Sequence, residues 1–188
     1  MLFTKEEYKQ RLKKVQASMQ EKEIELLISH DTNNMNYLTG YDGWSFYVPQ
    51  GVIVAIEKDE PIWFGRKQDS NGARITTFLK DENILGYPEN LIQSPPSHPY
   101  DYVVNYIHEN KWANKNIGVE MDSYYYTAEN HERLVKNCPN AKFINGHLLV
   151  VPQFTLSANT KKGLRPSFKS VPVDFSKNLF ENFVSHLV

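Results

Sequence analysis

The stretch that decides the fold runs from Met35 to Gly86: MNYLTGYDGWSFYVPQGVIVAIEKDEPIWFGRKQDSNGARITTFLKDENILG. It holds two apolar, β-branched and aromatic runs. Phe46 to Ile56 reads as a long strand, interrupted by Pro49 and Gly51 at an edge or a bulge. Pro61 to Gly65 reads as its return strand, with Lys58-Asp59-Glu60 as the turn between them. Asp69 to Leu79 then reads as a helix capped by Asp69 or Ser70, and Asn83 to Tyr87 as a short strand. A hairpin, a helix and a further strand in this order call for a sheet covered by helices.

The pattern extends in both directions. Thr4 to Glu21 is an amphipathic helix: Thr4 is its cap, Glu7 completes a capping box, and Tyr8, Leu12, Val15 and Met19 form one stripe. Ile24 to Ser29 is a buried strand, followed by the turn residues His30 to Asn34 and one helical turn to Leu38. Beyond Tyr87, Glu89 to Pro99 is a loop. Tyr100 to Lys111 and Tyr125 to Lys136 are helices; Lys115 to Met121 and Ala141 to Ile144 are strands. The fold class is α/β, a mixed β-sheet flanked by helices. After Val150 the period of either element is lost, apart from a weak amphipathic stretch from Phe175 to Leu187. Residues 1–150 therefore form the domain, and 151–188 read as an aberrant or disordered tail.

The 188 residues carry a net charge of -1 and are 40% hydrophobic, which excludes a strongly basic nucleic-acid surface or a polybasic membrane patch. With Cys138 alone, no internal disulfide forms. No apolar run approaches a bilayer span and the start lacks an apolar signal segment, so a cytoplasmic location is expected. The six histidines form no His-x-x-x-His pair, and there is no Gly-rich phosphate loop or Gly-x-Ser-x-Gly elbow. What remains is the aromatic density around Trp44, Phe46 and Tyr47, beside Asp42, Arg66, Gln68 and Asp69. Aromatic faces beside a few polar groups suit a small ligand or a partner subunit, although core packing is their commoner role. Arg66 has two readings: a fork for a carboxylate, or an ion pair with Asp69 or Asp42 that locks a loop.

Five strings carry a resemblance: MNYLTGYDGWSFYVPQ (35–50), PIWFGR-x-QD-x-NGA (61–73), NILGYPE (83–89), HP-x-DY (98–102) and IGVEMDSYYYTA (117–128). They resemble the amino-terminal domain of the creatinase, prolidase and Xaa-Pro aminopeptidase (M24) superfamily, and within it the ectoine hydrolase branch. The resemblance implies a ribonuclease H-like amino-terminal domain and a separate catalytic domain that binds divalent metal through two Asp, one His and two Glu. Those ligands have no counterpart in this chain, so no catalytic residue, metal ligand or cofactor is expected in it. In creatinase-like dimers the amino-terminal domain reaches over the partner's active site. That implies homo-oligomerisation, or pairing with a full-length homologue, and substrate contacts in trans from Trp44, Phe46, Tyr47, Arg66, Gln68 and Asp69. Val48 stands where creatinase has the Arg that holds the substrate carboxylate, which implies a cyclic amidine such as ectoine rather than creatine. The expected role is the non-catalytic amino-terminal domain of a metal-dependent C–N hydrolase, truncated or frame-shifted near residue 150. The alternative is a stand-alone small-molecule-binding or protein-interaction module.

Overall fold

A computed structural model describes residues 3–146 together with 158–159 and 167–168. Its elements are α1 (Lys5–Glu21), β1 (Leu26–Ser29), α2 (Thr32–Thr39), β2 (Gly51–Ala55), β3 (Ile62–Arg66), α3 (Ser70–Thr76), β4 (Ile84–Tyr87), α4 (Pro99–Glu109), β5 (Asn116–Val119), α5 (Ala128–Asn137) and β6 (Lys142–Asn145). The sheet order is β4-β3-β2-β1-β5-β6. β1 pairs antiparallel with β2 and parallel with β5, so the sheet is mixed about its centre. The β2–β3 hairpin is antiparallel; β3–β4 and β5–β6 are parallel, with α3 and α5 as their crossovers. The chain divides into two compact units, Met1–Leu149 and Val150–Val188. In the second unit, β7 (Ala158–Asn159) and β8 (Ser167–Phe168) pair antiparallel. The expected amphipathic stretch from Phe175 to Leu187 lies outside the described residues.

The two-residue period of a strand sorts the central side chains onto two cores. Ile53 and Ala55 of β2, Ile62 and Phe64 of β3, and Leu26 and Ile28 of β1 bury against Val103 and Ile107 of α4 and Leu134 of α5. Val52, Val54 and Trp63 turn to the other face, against Tyr8, Leu12 and Val15 of α1, Leu38 of α2 and Ala73 of α3. Both faces are covered, which is why β2 is buried along its whole length and reads as a continuous apolar run. Gly51 opens it because a Cβ there would meet Phe64 Cζ at 2.5 Å and the Ser29 carbonyl at 2.6 Å.

Several boundaries differ from expectation. Phe46 to Gln50 is not strand: Pro49 supplies no ladder donor, and β2 begins only at Gly51. The third helix stops at Thr76, and α5 begins at Ala128 behind its cap Thr127, whose side chain accepts from Asn130 N at 3.2 Å. Thr4 caps α1, accepting from Glu7 N at 3.2 Å, while the Glu7 carboxylate turns to Arg11 at 3.1 Å. The capping box sits elsewhere. His98 Nδ1 accepts from Tyr100 N and the Asp101 carboxylate accepts from His98 N, which starts α4 at Pro99. Arg133 of α5 grips both Asp101 oxygens at 2.7 and 2.8 Å and ties the two helices together.

Glu120, just past β5, is buried and accepts four hydrogen bonds. They come from Ser29 Oγ (2.7 Å), His30 N (2.7 Å), Asp31 N (2.9 Å) and Asn34 Nδ2 (2.6 Å). One carboxylate thus joins the end of β5 to the end of β1 and the first turn of α2, where the helix dipole also favours negative charge. Asp31 caps the same helix, accepting from Asn33 N at 2.9 Å, and Gly40 closes it in the left-handed conformation. Glu120→Ala is expected to cost about 3 kcal/mol or more in chemical denaturation, since each orphaned buried donor costs about 1–3 kcal/mol. Glu120→Gln is expected to cost less, because Ser29 and Asn34 can reorient to offer acceptors to the new amide.

Candidate functional site

The segment between α2 and β2 has no regular structure and carries the aromatics singled out from sequence. Trp44, Phe46 and Tyr47 are 59%, 70% and 59% exposed, so the core role is not theirs. The neighbouring aromatics Tyr41, Trp63 and Phe64 take it instead. Trp44 and Phe46 pack edge to face at 5.8 Å between centroids. Tyr47 accepts a hydrogen bond at its hydroxyl from Arg66 Nη1 at 2.7 Å. Arg66, at the end of β3, also donates to Gln68 Oε1, and its Nε lies 3.0 Å from both oxygens of Glu89.

The fork of Arg66 is therefore occupied within the domain, and its ion-pair partner is Glu89, not Asp69 or Asp42. From sequence Glu89 reads only as the start of a loop. The parallel pairing of β3 with β4 brings it beside Arg66, a contact that local sequence cannot show. Asp69 occupies the N-cap position of α3 without a side-chain cap bond. Burial and the Glu89 charge raise its pKa, against the lowering effect of Arg66. Tyr47, Arg66, Gln68 and Glu89 form one cluster; Trp44 and Phe46 form a separate aromatic pair.

Beside this loop lies an open cleft of about 280 Å³. One wall is residues 45–50; the others include His30, Met35, His98, Tyr124, Tyr125 and the first turn of α5. His30 forms part of the wall and is fully buried. Its Nδ1 lies 2.8 Å from the Gln50 carbonyl and its Nε2 3.2 Å from the Tyr100 hydroxyl, and its ring stacks on Tyr126 at 5.1 Å. Burial pushes its pKa down to about 4, the Gln50 carbonyl opposing. In the sequence His30 reads as turn punctuation, and Glu120 carries a faint signal as a charge closing an apolar strand. Among the described residues no group of three or more His, Cys, Asp or Glu is placed to hold a metal ion. The side chains present do not fit the metal that the resemblance implies for the catalytic domain. Among them, too, no helix is long and apolar enough to cross a membrane.

The model of the Creatinase/Prolidase N-terminal domain matches residues 11–152. The ectoine hydrolase of Halomonas elongata is 43% identical over 149 residues, which are 79% of this chain and 37% of that protein. The chain thus spans well under half the length of this relative. The Creatine_N superfamily domain of a dipeptidase from Streptococcus thermophilus superposes with a TM-score of 0.57 at 18% identity, covering 72% of this chain and 91% of that one. A second family model, D-Tyr-tRNA(Tyr) deacylase, matches residues 126–188. The D-aminoacyl-tRNA deacylase of Teredinibacter turnerae is 60% identical over 43 residues, 22% of this chain and 30% of that protein. The segment past Val150, which reads as patternless beside the first family, thus has relatives of its own.

His30 generates a pH prediction. The unfolded chain binds its proton near pH 6.5, whereas the folded chain does so only near 4. Between these values the unfolded state holds more protons, so stability falls as pH drops through that window. The loss is about 3 kcal/mol, because each tenfold change in proton affinity between the two states is worth about 1.4 kcal/mol. Urea denaturation across the window checks this, and His30→Gln is expected to flatten the slope.

Proposed function

Since the chain belongs to the creatinase/prolidase family through its amino-terminal domain, we propose that this domain is the non-catalytic cover of an ectoine hydrolase-like, metal-dependent C–N hydrolase. It pairs with a second copy, or with a full-length homologue whose active site its 42–50 loop covers. Trp44, Phe46 and Tyr47 present the apolar surface, with Arg66, Gln68 and Asp69 behind them. The observation that carries this reading is the exposure of three large aromatics on a single irregular loop. An exposed apolar patch of this kind marks an interaction surface. The Arg66–Tyr47 bond supports it further, because it fixes the loop tip before any partner arrives and so reduces the ordering cost of binding. A cover that excludes water and orients substrate contributes to catalysis without holding a reacting group.

The two family matches support a second inference about the chain's make-up. It joins a creatinase-type domain to a piece of deacylase sequence, with the junction near residue 150. A joining of two coding sequences near that point accounts for two unrelated patterns in one chain, whereas a shift of reading frame alone would leave no recognisable family past it. Neither piece spans even half of the relatives quoted for it.

Two outcomes test the functional reading. Sedimentation is expected to show a concentration-dependent dimer, weakened by Phe46→Ser with Tyr47→Ser while the melting temperature moves little. A monomer at all concentrations, or a variant that fails to fold as a core double mutant would, overturns the cover. The purified chain is also expected not to hydrolyse ectoine, creatine or Xaa-Pro peptides with added Mn, Fe, Co or Zn. Metal-dependent turnover that survives repurification contradicts a non-catalytic role.

A further inference from the structure

The cleft beside the loop shares Phe46 and Tyr47 with the cover role and adds groups that this role does not use. Four aromatics line it: Phe46, Tyr47, Tyr124 and Tyr125. Tyr124 is 80% exposed and packs edge to face on Tyr125 at 5.4 Å. An exposed tyrosine held in this way presents ring surface to the cleft mouth at little further ordering cost.

The lining contains no Lys or Arg; its carboxylate is Glu129. Arg133 lies 3.2 Å from Glu129, but the same guanidinium already spans both oxygens of Asp101, so the trio of one cation and two carboxylates keeps a net charge of -1. The imidazoles in the lining add no positive charge near neutrality, because burial lowers the pKa of both His30 and His98. The wall also holds polar groups that the protein leaves unsatisfied. The side-chain amide of Asn130 is buried with neither its nitrogen nor its oxygen paired, and Gln50 Oε1 is buried without a donor. Buried polar atoms are ordinarily paired, so these amides mark the wall as polar behind its aromatic lining.

We propose that this cleft is a binding site for a small organic cation of the alkylammonium class, held against the Phe46, Tyr47, Tyr124 and Tyr125 rings with Glu129 as counter-charge. Ring faces carry negative quadrupole charge and attract ammonium groups, and no Lys or Arg lines the cleft, Arg66 holding the Tyr47 hydroxyl rather than its ring face. A cleft of about 280 Å³ lies just below the range for drug-sized ligands and accommodates a compact ammonium. The site lies within one copy of the domain and needs no catalytic domain.

The test uses the full chain and two probes of nearly equal shape, tetramethylammonium and neutral tert-butanol, titrated by protein-observed NMR. Tetramethylammonium is expected to bind in the millimolar range and to shift the resonances of residues 45–50 and 124–130. The alcohol is expected to bind about tenfold or more weaker, since it gains no cation–π attraction. Tyr124→Leu keeps the apolar area but removes the ring, and should weaken tetramethylammonium about threefold, with the melt unchanged at so exposed a position. Tyr124→Leu with Tyr125→Leu should weaken it about tenfold. Glu129→Gln should weaken binding and reduce its salt dependence. Equal binding of the alcohol, an unchanged affinity in Tyr124→Leu, or shifts confined to residues outside the cleft would overturn the site. The outcome is separable from the cover reading when the titration is run at concentrations where the chain is monomeric, because Phe46 and Tyr47 serve both: a monomer that binds tetramethylammonium supports the cleft, and a monomer that does not removes the cleft alone.

Discussion

A single buried carboxylate holds in place the segments that lead into the aromatic loop of this domain. Glu120 gathers the end of β1, the first turn of α2 and the tail of β5 through four hydrogen bonds of 2.6–2.9 Å. Burying a charge is costly unless its lone pairs are filled, and here two backbone amides, a hydroxyl and a carboxamide fill them. Through that junction His30 is set under Gln50, Asp31 is set to cap α2, and α2 delivers the chain into the aromatic loop. The loop's position is therefore determined from beneath, by polar contacts at strand ends and by the buried Tyr41, Val48 and Gln50 at its two ends, rather than by its aromatic tip.

The loop itself combines a rigid base with an exposed tip. The Tyr87 hydroxyl donates to the Pro49 carbonyl at 2.6 Å and Gln50 Nε2 to the Tyr41 hydroxyl at 2.9 Å, which fastens the end that enters β2. Arg66 ties Tyr47 to Gln68 and Glu89 across the sheet edge. Trp44 and Phe46 are left with each other as ring partners and with solvent. In an isolated domain this arrangement leaves apolar area unburied, which is tolerable when another surface covers it. The adjoining cleft adds an acidic, aromatic-lined hollow whose wall holds the unpaired Asn130 amide and Gln50 Oε1.

The elements are legible in the sequence where one face or one run is unambiguous. The stripe Tyr8, Leu12, Val15, Met19 is the buried face of α1, and the apolar hairpin is β2 and β3. Strand ends are less legible, because Phe46 and Tyr47 have the composition of a strand, and Pro49 together with the register of β2 against β3 excludes them from it. Of the candidate residues, Arg66 takes an ion-pair partner that its surroundings in sequence do not supply. Its partner Glu89 lies 23 positions away, joined through a parallel strand pair that no local pattern announces.

By itself the amino-acid sequence determined the class of fold and the family, because apolar periodicity records which faces are buried and long ordered strings record descent. It also marked the aromatic loop, since seven aromatics within 35–64 exceed what a turn needs. Only the tertiary structure decided which of those rings are core and which are surface: Trp63 and Phe64 lie on opposite faces of one strand and are both covered, whereas Trp44, Phe46 and Tyr47 lie on none. The same holds for Glu120, His30 and Asn130. Their roles depend on what burial places around a charge, an imidazole or an amide, and that environment is assembled from segments up to 91 residues apart.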